Sequence, residues 1–294
     1  VVYVDDFLLQ ADLGGMRNAF LEALAQVWTL DKEEVLSLDN PIVFLGIEME
    51  ERPNADVFCH QKKFSESVLV KHEATQLKGN PNVVIDKLPD TPDPPDAKTL
   101  KILQGYSGEF NWLATRTRPE MAYFVSILAS ACTKFAAWCL ELVKKILRFL
   151  VSNICAGILI TVVGCLKSLI GWTDAGFSGT DTKSQTGIII TWGGSFITWR
   201  CSRQTVATIH TAEAELNAGT LGWQILEGLR CLLSDFGIEL PKVTLMMDNA
   251  AALTIAKCGS TWRTRYFAVR ANRLNDEYLM GKAELLHCPT KEML

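Results

Sequence analysis

The stretch from Leu169 to Gly219 constrains this chain more than any other. It begins Leu169-Ile170-Gly171-Trp172-Thr173-Asp174-Ala175-Gly176, an apolar, strand-like run that ends on an acid. Two further strand-like runs follow, Gly187–Trp192 and Ser195–Trp199, and the Gly193-Gly194 pair between them is a hairpin signal. His210-Thr211-Ala212-Glu213-Ala214-Glu215-Leu216 then opens a helix-like run. Another apolar run, Val243–Met247, ends on Asp248. Acids that are distant in sequence, yet each at the edge of an element, are what a magnesium site needs. Mg²⁺ takes hard oxygen ligands and keeps several waters for substrate phosphates.

Composition narrows the class. With 294 residues the chain makes one large or two ordinary domains, and 48% apolar against 21% charged residues excludes a disordered polymer. The formal net charge of −4 argues against a purely electrostatic nucleic-acid coat. It is compatible with a metal-dependent nuclease, whose site is itself acidic. Nine cysteines, an odd number with no Cys-x-x-Cys pair, offer neither a disulfide framework nor a zinc spacing, so a reducing, intracellular setting is expected. There is no signal peptide and no initiator Met, and the chain reads as a piece of a longer polypeptide. Phe149–Leu166 carries no charge over 18 positions, the lower edge for a membrane span. Asn153, Gly157 and Gly164 interrupt it, and Ile158–Val163 is β-branched, so it reads as a helix end, a turn and a buried strand. No membrane partner is expected.

Taken in order, Val1–Leu9 fits a hairpin with Asp5 and Asp6 at its turn, and Met16–Trp28 is helical with Met16, Phe20, Leu24 and Val27 on one face. Strand-like Ile42–Glu48 and Val57–His60 precede a helix over Lys62–His72. Gly79–Ala97 holds five Pro and four Asp and is expected to be an extended linker without a core. A helical region runs on to about Val151, broken near Thr117-Arg118-Pro119, where Pro119 suits a first helical turn. Lys144, Lys145 and Arg148 cluster there, either as a solvated face or as phosphate contacts. The last third alternates strands and helices. The helix after Glu215 reaches about Ser234, Gly237 stops it, and Asp248-Asn249 caps the helix Ala250–Lys257. Trp262–Arg273 mixes basic and aromatic residues, which suits either an amphipathic surface helix or a nucleic-acid grip. Glu284–Cys288 is a short strand.

Several of these segments resemble a known family. Tyr3-Val4-Asp5-Asp6, Phe44-Leu45-Gly46-Ile47 and Thr117-Arg118-Pro119-Glu120-Met121-Ala122-Tyr123 resemble the reverse transcriptase of Ty1/copia retrotransposons. Gly171–Ala175, Lys183–Gly187, Ala212–Leu216 and Met247–Asn249 are similar, in order, to that family's ribonuclease H domain. The resemblance covers nearly the whole chain. It implies an α/β chain: a partial palm at 1–78, the linker at 79–97, thumb and connection helices at 98–155, and a ribonuclease H-like mixed sheet with flanking helices at 156–294.

It also implies roles. Asp174, Glu215 and Asp248 would be metal ligands and catalytic acids of a ribonuclease H, and Asp5 and Asp6 those of a polymerase remnant. Glu213 competes with Glu215, but residues two apart on a helix face different ways, and the family's pattern selects Glu215. Mg²⁺ ions, or Mn²⁺ in their place, would sit about 4 Å apart and hydrolyse the RNA of an RNA–DNA hybrid, so the three carboxylates are expected to converge. Lys144, Lys145, Arg148, Arg200, Arg203, Arg263 and Arg265 would contact nucleic acid. Partners would be the hybrid, a template and primer, and the rest of the Pol polyprotein, in the cytoplasm or nucleus and not secreted. The chain departs from the family in lacking the strand before Asp5, the fingers, and a fourth acid after Pro289-Thr290, where Glu292 lies near without matching. Polymerisation by this chain alone is therefore not expected. The alternative to a working hydrolase is a folded, catalytically dead remnant that binds nucleic acid.

Overall fold

The computed structural model describes residues 2–3, 6–10, 14–162, 168–177, 183–240, 242–262 and 265–293. At the N-terminus β1 (Val2–Tyr3) pairs antiparallel with β2 (Asp6–Phe7), with Tyr3 opposite Asp6. Asp6 therefore stands in a strand rather than at the turn, and Asp5 lies outside the described residues. The helix α1 (Gly15–Ala25) follows and buries none of its residues.

Next comes an antiparallel sheet of β3 (Ile42–Phe44), β4 (Ile47–Glu51), β5 (Val57–His60) and, much later in sequence, β6 (Gly157–Ile160). The expected single strand Ile42–Glu48 is in fact folded back on itself. Leu45 and Gly46 take φ of 51° and 71°, both left-handed as a tight hairpin turn requires, and Phe44 pairs directly with Ile47. The β-branched run after Gly157 is also placed differently from expectation. As β6 it is the outer strand beside β5, and Leu159 and Ile160 are 42% and 39% exposed rather than buried.

The helices α2 (Lys62–Lys71), α3 (Ala97–Arg116), α4 (Ala122–Ala131) and α5 (Ala136–Ser152) enclose the first hydrophobic core, which includes Leu103, Phe110, Leu128, Ile146 and Leu150. Asp96 caps α3 by accepting a bond from the Thr99 amide at 2.7 Å. Pro119 opens a 3-10 turn, Pro119–Met121, that leads into α4. The Pro- and Asp-rich stretch before α3 is extended as expected, but it is not free of the core. Val83, Ile85 and Leu88 pack against the helices, and Asp93 exchanges backbone bonds with Lys134 and Ala136. Among the described residues no helix is long and apolar enough to cross a membrane.

The last part is a mixed five-stranded sheet. Its elements are β7 (Leu169–Gly176), β8 (Gln185–Trp192), β9 (Ser195–Arg203), α6 (Thr211–Asp235), β10 (Val243–Met247), α7 (Ala250–Cys258), α8 (Ala268–Leu279) and β11 (Ala283–His287). Strand order is β11-β10-β7-β8-β9; β7, β8 and β9 are antiparallel, and β10 runs parallel to both β7 and β11. Together with its helices this makes the chain α/β. Leu216, Trp223, Leu245, Ala256 and Leu274 fill a second core between α6, α7, α8 and the sheet. The face of β9 meets the helical half, where Trp199 Nε1 donates to the Ala114 carbonyl at 2.6 Å.

One close approach fixes where α6 stands. A Cβ on Gly222 would lie 2.4 Å from Thr173 Cγ2, and one on Gly171 would lie 2.7 Å from Leu226 Cδ1. The lack of a Cβ at Gly222, and the room at Gly171 for the Leu226 side chain, let α6 lie directly on β7, the strand that carries Asp174.

Candidate metal centre

Parallel pairing delivers two of the acids. Met247 of β10 is in register with Thr173 of β7, so Asp248, just past the end of β10, stands beside Asp174, which lies within β7 opposite Gly187 rather than at the strand's end. Glu215 comes from the second turn of α6, held close by the glycine contacts. The result is one cluster: ligand oxygens of Asp174, Glu215 and Asp248 all lie within 4.8 Å of one another. Asp174 is exposed, Asp248 half-buried and Glu215 buried.

Local chemistry frees these acids for the cluster. At the start of α7 it is Asn249 that caps, accepting the Ala252 amide at 2.9 Å, so the Asp248 side chain is not consumed as a cap. At the start of α6 Glu213 takes the local task, accepting the Ile209 amide at 2.9 Å. Glu215, two residues on, faces Asp174 instead.

Crowding acids together disfavours their charged forms. Burial first, then the charges of Asp174 and Asp248, push the Glu215 carboxyl up to about 8. Burial and the Asp248 charge likewise raise Asp174 above the ordinary carboxylate range. One Glu215 oxygen, Oε2, is buried with no hydrogen-bond partner. An all-oxygen donor set, converging and short of positive charge, fits a hard divalent cation. Among the described residues no other cluster of His, Cys, Asp or Glu side chains is arranged to hold a metal, and neither Asp6 nor Glu292 belongs to this one.

The basic candidates divide. Lys145 pairs with Asp86 at 2.6 Å and donates to the Val84 carbonyl, Arg148 Nε donates to the Lys78 carbonyl at 3.0 Å, and Lys144 pairs with Glu141. Lys145 and Arg148 tie α5 to the stretch before α3, and the Lys144 pair lies within α5 itself. Arg200 lines a cavity of about 440 Å³ together with Asp174, Trp172, Tyr123 and Trp199. Arg203 is exposed at the end of β9, and Arg265 is exposed in the 3-10 turn Arg265–Phe267 before α8. Arg263 lies outside the described residues.

Two residues at the site were not singled out from sequence. His287 Nε2–H donates to the Asp248 carbonyl at 3.0 Å, and the Thr290 hydroxyl donates to Asp248 Oδ2 at 2.8 Å. The signal for both is the parallel pairing of β10 with β11, which sets His287 beside Met247.

No protein-family model matches the chain. It is 25% identical over 305 aligned positions to the retrovirus-related Pol polyprotein from transposon RE2 of Arabidopsis thaliana, covering 100% of this chain and 20% of that one. It is also 25% identical to the retrovirus-related Pol polyprotein from transposon TNT 1-94 of Nicotiana tabacum, covering 99% of this chain and 22% of the relative. The chain thus spans about a fifth of the length of these relatives. Among solved structures, LC11-RNase H1, isolated from compost by a metagenomic approach, matches 42% of this chain and 86% of its own at 16% identity, with a TM-score of 0.35.

Proposed function

We infer, from a chain that is homologous along its whole length to Ty1/copia-type retrotransposon Pol polyproteins, that its C-terminal part hydrolyses the RNA strand of RNA–DNA hybrids with a divalent cation, Mg²⁺ or Mn²⁺. The observation that carries this reading is the convergence of Asp174, Glu215 and Asp248 within 4.8 Å. Helix capping does not bring these three acids together, because the local backbone amides are taken by Asn249 and Glu213.

The side chains divide the work. Asp174 and Asp248 hold the solvent side of the site, where a phosphate of the backbone enters, and Glu215 closes its floor. A divalent cation bound by these three would polarise a phosphate oxygen and activate water for attack. Burial beside two acids favours the protonated form of Glu215 until a cation binds, and ligation by the three carboxylates would displace that proton. Arg200, which lines the same cavity as Asp174, is suited to grip a neighbouring phosphate. Arg203 and Arg265 are exposed cations suited to more distant backbone contacts. The 2′-hydroxyl is the feature by which such a site tells RNA from DNA. The same reading takes residues 1–78 as a partial palm, 79–97 as a linker, 98–155 as thumb and connection helices and 156–294 as the ribonuclease H-like part, of which β6 pairs with β5 of the first sheet.

The test is a substrate panel. The full chain is incubated with a labelled RNA–DNA hybrid, single-stranded RNA and a DNA duplex in Mg²⁺ or Mn²⁺. Cutting confined to the RNA of the hybrid, and stopped by a chelator, is expected. A well-folded chain that binds the hybrid without cutting it in either metal would support the other reading, a nucleic-acid-binding remnant.

A further inference from the structure

The end of the described chain closes on one acid from three directions. The Cys288 amide donates to the Met247 carbonyl at 2.9 Å, which extends the β10–β11 pairing by one bond. His287 Nε2–H donates to the Asp248 carbonyl at 3.0 Å. Pro289, with φ −57° and ψ 141°, then turns the chain into the 3-10 turn Thr290–Glu292. That turn carries the Thr290 hydroxyl to 2.8 Å from Asp248 Oδ2. Backbone before the acid, carbonyl of the acid and carboxylate of the acid are each held by a different residue of one four-residue run.

We propose that Thr290, set by the His287-Cys288-Pro289 turn, is a positioning residue that fixes the Asp248 carboxylate for cation binding. The proposal rests on the metal-centre reading above. Asp248 is half-buried and projects from a strand end, so its carboxylate can rotate about its own bond to Cβ. The angle of that rotation decides how its oxygens face Asp174 and Glu215. The Thr290 hydroxyl occupies one lone-pair direction of Oδ2 and so selects a setting, leaving Oδ1 and the remaining lone pairs for a cation. Groups that orient a ligating carboxylate in this way change metal affinity by about 10–100-fold when removed. Thr290 touches neither substrate nor cation, and its side chain is exposed, so its replacement leaves the core intact.

The experiment is Mn²⁺ binding to the full chain, read by the electron paramagnetic resonance of free Mn²⁺, for the parent, Thr290→Val, Thr290→Ser and Asp174→Asn. Thermal unfolding in chelator accompanies each. The expected result is an apparent Kd raised about 10-fold or more in Thr290→Val, restored in Thr290→Ser, with the chelator unfolding midpoint unchanged. Parent-like binding by Thr290→Val, or failure of Ser to restore it, overturns the positioning role alone. Parent-like binding by Asp174→Asn overturns the metal centre itself, and the positioning role with it.

Discussion

Glu215→Gln is expected to abolish hybrid cleavage and at the same time to stabilise the metal-free fold. Gln keeps the shape of the side chain but cannot offer a charged oxygen. Losing one of three ligands removes several kcal/mol of charge stabilisation at the reacting phosphate, so cleavage should fall by roughly 10³-fold or more. Stability moves the other way. The Glu215 carboxyl sits at about 8 in the folded chain against an ordinary 4.5. The folded state therefore holds this proton more tightly than the unfolded one. Below pH 4.5 the group is neutral in both states and costs nothing; as pH rises from there to about 8, ionisation is easier in the unfolded chain and stability drains away. Asp174 is raised as well and acts in the same direction. Thermal unfolding in chelator should thus show a parent that loses stability between pH 5 and pH 8 and a Gln variant with a flatter profile. At pH 8 the variant should be the more stable, by on the order of a few kcal/mol. Divalent cation added at pH 8 should raise the parent's midpoint more than the variant's. A Gln variant that cuts at the parent's rate, or melts below the parent at pH 8, contradicts this assignment.

The second large effect is on the core under the site. Trp223 is 1% exposed and belongs to the cluster that joins α6 to the sheet. Trp223→Ala leaves a cavity there and should cost about 3–5 kcal/mol, read as a drop in the denaturant midpoint of the C-terminal part. Its Nε1 has no hydrogen-bond partner, so Trp223→Phe removes no bond and keeps most of the apolar volume. That variant should cost less than the Ala variant. Equal losses for the two would mean that the indole, not the filled volume, holds α6 in place. A loss for Ala within the ±0.5 kcal/mol of a surface change would remove Trp223 from the core altogether.

The acids of the site were readable because each is punctuated locally. Asp174 and Asp248 close apolar runs, Glu215 opens a helix, and Gly193-Gly194 turns a hairpin with φ of 59° and 92°. Convergence itself follows from parallel register and from Gly171 and Gly222, which a sequence shows only as two more glycines. What escaped is what depends on distant partners. β6 looks like a buried strand from its β-branched residues, yet it finds β5 across the whole helical half and leaves Leu159 and Ile160 exposed. Leu45 is a poor candidate for a left-handed turn, because its Cβ disfavours that region, and tertiary pairing imposes it. The partners of Lys145 and Arg148, Asp86 and the Lys78 carbonyl, lie far back in the chain and could not be read from their own helix. Thr290 was visible as part of a Pro-Thr landmark, but its bond to Asp248 needs the β10–β11 pairing to exist first.

The most direct measurement is an anomalous difference map from crystals of the full chain grown in Mn²⁺. The expected result is a peak among the carboxylates of Asp174, Glu215 and Asp248 that vanishes in Glu215→Gln crystals. Saturating Mn²⁺ with no peak between these three side chains would contradict the metal centre.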